Sequence, residues 1–477
     1  MKFPRWVAKH RKPGTEIRLQ HGQWYQYKVT SKYDPKIKRS RKITQSYLGT
    51  ITPEGLVPPK HKRPPRLGGR LDAGNIVFLD PFVAALQPAV EEFFPDDWQN
   101  LVAAAVLRLC YLEPCSRLQL RYETSLACKR WPDARLDSRA LPDLLRRVGF
   151  QWAAQRDVFR ALARVEKHMA IDLSHVFSDS ENVPWLELGH NGDDVWRPQL
   201  QVLLCWGTTT HRPGFLQLLL GGTQSAQTLA TAIKEAPLQE AIAIMDKGFW
   251  SPSNVKAFED AGIHYAIALR RDLPIVRLRP HSEYRNHFLH RDQAQWWRVD
   301  DWDGRAIYHY LDKKIAAEEE AGYLRRADRV ETPKKKQRVM EAYETHRDAL
   351  GTLSVLTDTG MGAAEVYALI KERRDIEYAY DALQNELRAD VTWMRSKEGM
   401  VGYHFIVFLA LHLYAQVLDH LKRKRMLSTY SVRDVLAYLS KVDVVEVNGQ
   451  TYPLAVTAQT QAVIDRLEVP ITEKLRL

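Results

Sequence analysis

Short apolar runs alternate with turns and helical patterns between residues 170 and 270, and this order constrains the fold more than any other feature. Runs of this length predict strands, and two of the intervening segments have the spacing of amphipathic helices. The first runs are separated by turns alone, whereas the later ones are separated by helices. This order predicts an α/β fold in which a mixed sheet is covered by helices.

The rest of the chain divides by texture around this sheet. Residues 271 to 350 break the rhythm with a hairpin that turns near Asp303 and Gly304, followed by a highly charged helical stretch. The predicted segments are a basic β-rich segment (1–60), a Pro-rich basic linker (57–79), a helical region (80–166), the first part of the core (167–270), an inserted β-containing subdomain (271–350), the second part of the core (351–425) and a C-terminal region (426–477). Two helices are predicted in the second part of the core, a long one at about 362–389 and a more apolar one at about 398–424.

Positive charge is concentrated at the N-terminal end. The whole chain has a net charge of +11, but residues 1 to 70 contain 18 Lys and Arg against three acids, which is 18 − 3 = +15, so the remainder sums to −4. Such a local excess suits binding to a polyanion, because phosphate neutralisation needs local charge density. A solubilising basic surface is the alternative that composition alone leaves open.

The chain has no sequence signal for zinc, secretion or membrane insertion. Its four cysteines form no CxxC pair. The N-terminus lacks the apolar run of a signal peptide. The most apolar stretch, at 405–418, is shorter than a membrane span and contains His412 and Gln416. We therefore expect a soluble, cytoplasmic protein with no membrane partner.

Two aspartates on predicted core strands are candidate metal ligands. Asp172 lies within an otherwise largely apolar strand, and Asp246 closes another strand at its C-terminal end, where open α/β sheets tend to place ligand sites. Hard cations such as Mg²⁺ take oxygen ligands. Taken singly, either residue could instead cap a turn or a helix.

A third acid, Glu377, lies on the long predicted helix. Arg373 and Gln384 share its helical face. The alternative is an ordinary surface ion pair between Arg373 and Glu377, worth only about 0.3 to 0.5 kcal/mol.

The ordered set of motifs resembles a known family. The segments AIDLSHVFSDSEN, GHNGDDVWRPQLQVLL, IMDKGFWSPSNVKAFEDAGIHYAIALRR and IKERRDIEYAYDALQNEL are similar, in that order, to the insertion-sequence DDE transposases of the insertion-sequence-four type. The resemblance covers most of the chain. It implies an RNase H-like core that is interrupted by a β-rich insertion between the second Asp and the Glu.

The resemblance assigns the acids position by position. The family's catalytic and metal-binding triad falls on Asp172, Asp246 and Glu377. Its last signature matches Arg373 and Glu377, whereas Ile370 stands where a Tyr is expected and Gln384 where a phosphate-contacting Lys is expected. A neutral amide cannot replace that charge. Reduced or lost activity therefore stays open.

Three further acids follow the first strand of the predicted core. Asp179 is an alternative to Asp172 as the first member of the triad, but the family's Asp lies within the strand that opens the core, which favours Asp172. Asp193 and Asp194 are interpreted as loop acids.

The resemblance also implies the cofactor and the contacts with DNA. Two Mg²⁺ ions, with Mn²⁺ as an alternative, are expected on the three carboxylates. Arg373, Gln384, Lys247 and Trp250 are expected to contact DNA, the last by stacking on an unpaired base. Packing of Trp250 into the core is an equally good interpretation, and His175 is better explained as a structural histidine.

The function that follows is that of a DNA transposase. It would bind the terminal inverted repeats of an insertion sequence, and the resemblance implies that the basic β-rich segment (1–60) and the helical region (80–166) bind this DNA. It would catalyse Mg²⁺-dependent strand cleavage and strand transfer into target DNA. It would act as a homodimer on paired ends in the prokaryotic cytoplasm, associated with the nucleoid when bound to DNA. Two alternatives remain, a catalytically inactive DNA-binding protein derived from a transposase and an RNase H-like nuclease without strand transfer.

Overall fold

The structure is a computed structural model that describes residues 3–34, 38–59, 67–178, 180, 183, 185–188, 197–220, 226–236, 241–389, 394–447 and 450–471. The chain forms two compact units. The smaller unit comprises Met1–Gly69 and Val445–Tyr452, and the larger comprises Arg70–Val444 and Pro453–Leu477. The seven sequence-based segment boundaries stay predictions.

The smaller unit is built on an antiparallel sheet. Its elements are α1 (Arg5–Ala8), β1 (Thr15–Gln20), β2 (Gln23–Asp34), β3 (Arg39–Thr52) and β4 (Gly55–Val57). The four strands pair in the order β1-β2-β3-β4. Val7, Trp24 and Ile51 form a small buried core on one side. In β2 the face toward this core carries the buried Trp24 and Gln26, whereas Tyr25 and Tyr27 lie half-buried on the opposite face.

Helices dominate the chain before the large sheet. These elements are β5 (Leu67–Asp72), α2 (Gly74–Phe93), α3 (Trp98–Tyr111), α4 (Leu118–Glu123), α5 (Ala127–Arg130), α6 (Ala140–Phe150) and α7 (Trp152–Ala163). The first long helix begins at Gly74, a few residues before the predicted helical region.

The large sheet and its covering helices follow. The elements are β6 (His168–Phe177), β7 (Glu187–Leu188), β8 (Pro198–Gly207), β9 (Arg212–Leu220), α8 (Ala226–Glu235), β10 (Ile242–Met245), α9 (Pro252–Asp260), β11 (Tyr265–Leu269), β12 (Asn286–His290), β13 (Gln293–Trp302), β14 (Arg305–Leu311), α10 (Lys313–Asp328), α11 (Pro333–His346) and β15 (Thr352–Thr357).

The C-terminal elements complete the fold. They are α12 (Ala363–Glu372), α13 (Arg374–Asp381), α14 (Lys397–Arg423), α15 (Val432–Leu439), β16 (Asp443–Val447), β17 (Gln450–Pro453) and α16 (Ala458–Leu467). Strands β17, β16 and β5 pair in that order as a three-stranded sheet.

The large sheet is mixed, as the sequence predicts. Within the described part of the chain ten strands take part, in the order β12-β13-β14-β15-β11-β10-β6-β8-β7, with β9 also pairing with β8. The pairs β6–β10 and β10–β11 are parallel, whereas β6–β8, β8–β9 and β11–β15 are antiparallel. Strand β6 therefore lies between a parallel and an antiparallel neighbour near the middle of the sheet. Its first half is buried on both faces at residues 169–171, whereas residues 172–175 are partly exposed.

The segment predicted as an insertion contributes strands to this same sheet. The hairpin of β13 and β14 turns at Asp303 and Gly304, whose φ angles of 56° and 79° suit a two-residue hairpin loop. Strand β14 then pairs antiparallel with β15 from Ala306 to Leu311. The sequence shows the hairpin but not this pairing, because neither strand carries a mark of its partner.

The predicted helix at about 362–389 is interrupted. It consists of α12, a break at Arg373, α13 and a π-helical turn at Ala382–Glu386. Arg373 itself keeps right-handed helical dihedral angles. The chain direction is therefore kept, while the regular hydrogen-bond ladder is lost at the residue that faces the sheet.

Helix α14 is the central helix of the larger unit and packs against α3, α6 and β9. Where it crosses α6 the backbones touch: a Cβ atom on Gly402 would lie 2.0 Å from the carbonyl oxygen of Leu145. The helix is long and apolar enough to cross a membrane by length and composition, but 83% of its apolar window is buried inside the protein. This burial identifies it as a core helix.

Asp72, at the end of β5, provides a test of the pH dependence of stability. Burial raises its pKa to about 7, and its Oδ1 atom is buried without a partner while Oδ2 accepts a 2.7 Å hydrogen bond from the Tyr111 hydroxyl. A pKa raised on folding gives stability that is complete below about pH 4 and is lost as the pH rises through 7. The free energy of unfolding of the parent should therefore fall between pH 5 and pH 8, and we expect Asp72→Asn to make this fall smaller by about 2 kcal/mol.

Thermal unfolding at the two pH values measures this effect. The exposed Asp96→Asn serves as the control and should leave the pH dependence as it is in the parent protein. An Asp72→Asn protein with the same pH dependence as the parent would show that another group causes it.

Candidate active site

Two neighbouring parallel strands place Asp172 and Asp246 side by side. In the pairing of β6 with β10, Ile171 lies opposite Met245, so the next residues along each strand are the two aspartates. Asp172 still belongs to β6, whereas Asp246 begins the turn that leads into a short 3₁₀ helix. The register of the sheet therefore sets the distance between the two carboxylates.

Hydrogen bonds hold α13 and the turn after it against these strands. The buried hydroxyl of Tyr380 donates to the carbonyl oxygens of Asp172 (2.8 Å) and Val202 (3.0 Å). One helical turn further, the Gln384 amide donates to the Ser174 hydroxyl at 3.1 Å. The position expected to be a phosphate-binding Lys thus anchors the helix to the strand of Asp172.

All three predicted acids converge on the guanidinium of Arg373. Its Nη2 atom lies 3.0 Å from Asp172 Oδ2 and 3.6 Å from Asp246 Oδ2, and its Nη1 atom lies 3.6 Å from Glu377 Oε1. The Arg373 side chain is only 14% exposed, whereas that of Glu377 is 60% exposed. The pair of Arg373 and Glu377 is therefore part of a four-residue network.

The carboxyl group of Asp172 is held between opposing influences. Burial raises its pKa, and the nearby charges of Asp246 and Glu377 act in the same direction. The Arg373 charge and the backbone N–H of Leu173, which donates to Oδ1 at 2.9 Å, lower it. Because burial is the largest of these causes, the pKa lies above the usual value for an aspartate.

The donor set suits a hard divalent cation, since it consists of carboxylate oxygens. The structure, across the residues it describes, groups no three Asp, Glu, His or Cys side chains closely enough to hold a metal ion. The guanidinium lies among the acids instead. The three carboxylates thus lie around the positive charge of Arg373, and the binding of a metal by Asp172, Asp246 and Glu377 stays a prediction.

The remaining predicted contact residues lie around the turn after β10. Lys247 is exposed, one residue beyond Asp246. Trp250 is half-buried against the hydrophobic core, and its buried indole N–H has no hydrogen-bond partner among the residues that the structure describes. This placement favours packing over base stacking. His175 contacts Phe177 edge to face. Asp179, Asp193 and Asp194 lie outside the described residues.

The sequence did not predict the residues that support the converging acids. The Tyr380 hydroxyl bonds were not foreseen, although its position three residues after Glu377 placed it on the same helical face. His211 Nδ1 lies 2.8 Å from Asp375 Oδ2, in the first turn of α13. His211 has a positive φ of 54° just before β9. No sequence signal links two residues so far apart in the chain.

Residues 166–413, more than half of the 477 residues, match the family model described as a transposase DDE domain. The chain belongs to the DDE transposase family. The matched range contains all three acids and Arg373, together with the large sheet from β6 onward. No curated protein sequence matches this transposase.

The solved structures that are similar to this transposase include one that matches over most of its length. It is the cryo-EM structure of a piggyBac transposase synaptic complex with hairpin DNA, at 11% sequence identity and a TM-score of 0.38, covering 86% of each chain. A likeness at this level carries no argument about the site. The family assignment rests on the sequence match to the transposase DDE domain.

Proposed function

We propose that this transposase binds the terminal inverted repeats of an insertion sequence and catalyses metal-dependent cleavage and strand transfer at Asp172, Asp246 and Glu377. The observation that supports this most is the convergence of these three acids, from two strands and a helix, on one position that takes positive charge. The family match supports DNA phosphodiester bonds as the substrate class.

The chain's own residues would act by binding and orientation. The three carboxylates would hold Mg²⁺, and the bound ion would supply a lower pKa for an attacking water or 3′-hydroxyl and stabilisation of the charge on the leaving 3′-oxygen. Arg373 can turn one guanidinium edge to a phosphate oxygen once the carboxylates have other partners. The hydrogen bonds of Tyr380 and Gln384 hold α13 and the π-helical turn after it against β6.

The finer assignments belong to the same proposal. They are the insertion-sequence-four type, an RNase H-like core, two ions, a homodimer on paired ends and a cytoplasmic location in a prokaryote. The order β9-β8-β6-β10-β11 supports the assignment of an RNase H-like core. Along the chain, β6, β8 and β9 form an antiparallel set, and β10 and β11 then extend the sheet parallel to β6.

A strand-joining assay tests the proposal. The full chain is incubated with Mg²⁺, duplexes that carry the inverted repeats flanking its gene, and a supercoiled target plasmid. We expect joined products in which the element's 3′ ends are linked to target DNA. Nicking without joining would instead support a nuclease that lacks strand transfer.

One observation favours a second candidate, a catalytically inactive DNA-binding protein. The Arg373 guanidinium lies among the carboxylates, and Gln384 is engaged with Ser174 where a cationic phosphate contact was expected. Binding of inverted-repeat duplexes with neither cleavage nor joining, in Mg²⁺ and in Mn²⁺, would establish this candidate in place of the transposase.

A further inference from the structure

The β2–β3 hairpin extends beyond the small sheet as a two-stranded ribbon. Its described residues are 28–34 and 38–44, with Val29 opposite Thr44 and Asp34 opposite Arg39. The ribbon is about 20 Å long at the usual rise of a strand. Near its base two register irregularities occur between Gln26 and Val29, and such bulges increase the local twist.

Both faces of this ribbon are open to solvent. In the proximal half of the hairpin Trp24, Gln26 and Ile51 are buried, whereas residues 30–33 and 38–45 are all exposed. Tyr33 is 60% exposed. A two-stranded ribbon without a core is marginally stable at best. Its apolar contacts therefore do not explain its length.

The ribbon concentrates cations in an arrangement that opposes its own pairing. Residues 28–44 contain seven Lys and Arg against Asp34 as the one acid. Lys32 lies directly opposite Arg41, and Arg39 lies two residues away on the same face. Like charges opposite each other destabilise a strand pair. An anion against this face removes that penalty.

We infer that the β2–β3 ribbon enters the major groove of duplex DNA, with Lys32, Arg39 and Arg41 facing the phosphates and base edges. The inference rests on the proposed function, since it names the DNA contact of the same protein. A B-form major groove about 12 Å wide admits a two-stranded ribbon, whereas the major groove of A-form RNA is too narrow for side chains to read.

The test compares three full-length proteins on a 30-bp mixed-sequence DNA duplex and on the RNA duplex of the same sequence. One is the parent. One carries Lys32→Thr, Arg39→Thr and Arg41→Thr, which keep β propensity. The control carries Lys334→Ala, Lys335→Ala and Lys336→Ala, which remove the same charge from the exposed first turn of α11. Binding is measured by fluorescence anisotropy from 50 to 300 mM salt.

We expect the ribbon variant to bind DNA at least about tenfold more weakly at 100 mM salt, with a slope of log affinity against log salt that is smaller by about 2 to 3. The control should stay close to the parent. Methyl green, which occupies the major groove, should compete with the parent and not with the ribbon variant.

Three outcomes would overturn the inference. A ribbon variant with the parent's affinity and salt slope would do so while leaving the proposed function untouched. Equal binding of DNA and RNA, lost equally in the variant, would point to a polyanion contact without groove entry. A parent chain that binds no duplex DNA would overturn the ribbon assignment and the proposed function together.

Discussion

Replacing a single carboxylate, by Asp172→Asn, Asp246→Asn or Glu377→Gln, is expected to lower Mg²⁺-dependent DNA cleavage by about 10³-fold or more while DNA affinity stays within about twofold. A metal bound by three carboxylates supplies several kcal/mol of transition-state stabilisation, and loss of one ligand forfeits most of it. Each substitution keeps the size of the side chain. Single-turnover cleavage of an inverted-repeat duplex measures the rate, and anisotropy without a divalent ion measures the affinity.

A matched control lies one residue before Arg373. Glu372 is exposed at the end of α12, so Glu372→Gln removes one negative charge beside the site without touching the converging acids. Its cleavage rate should stay close to that of the parent. Cleavage that survives in all three carboxylate variants would contradict the site assignment. A loss of cleavage in Glu372→Gln as large as in Glu377→Gln would show that the rate depends on the negative charge near the site and not on metal ligation by Glu377.

The second large effect is expected from Arg373→Gln. Without the guanidinium, the partly buried Asp172 and the more exposed Asp246 and Glu377 face one another uncompensated. Loss of one member of a buried ion pair costs about 3 to 5 kcal/mol, and exposure of two of the acids reduces this to about 1 to 3 kcal/mol. We therefore expect a lower thermal midpoint at pH 8 in the absence of divalent ions.

Mg²⁺ should restore much of this stability. A cation that binds only the folded state stabilises it by mass action, and the uncompensated carboxylates of Arg373→Gln should bind Mg²⁺ more tightly than those of the parent. The thermal midpoint is followed from 0 to 20 mM MgCl₂, and Arg374→Gln, an exposed neighbour, is the control. A midpoint that rises equally in Arg373→Gln and in the parent would show that Arg373 does not compete with a metal.

Local pattern was enough to predict the elements that carry the site. The strands of Asp172 and Asp246 were recognised from short apolar runs, and α14 runs from Lys397 to Arg423 where about 398–424 was predicted. The grouping of the two aspartates was implied by the family resemblance, whereas the pairing of their strands is seen only in the structure. These features depend on periodicity within a few residues of each position.

The sequence did not predict the contacts that Arg373 and Gln384 make with the strand of Asp172. The surface ion pair between Arg373 and Glu377, the alternative that helical spacing left open, is part of a partly buried network with Asp172 and Asp246. The role of Gln384 was equally hidden, since its partner Ser174 lies 210 residues away in the chain. No local periodicity encodes such partners.

The continuity of the ten-stranded sheet has a practical consequence for engineering this protein. Excision of residues 271–350 would remove β14, which pairs with β15. Strand β15, the neighbour of β11, would then become an edge strand with a row of unpaired backbone groups. The exposed turn at residues 329–332, between α10 and α11, carries no strand pairing. A fluorescent label or an affinity tag belongs at that turn, where the chain can be lengthened without disturbing the scaffold of the acids.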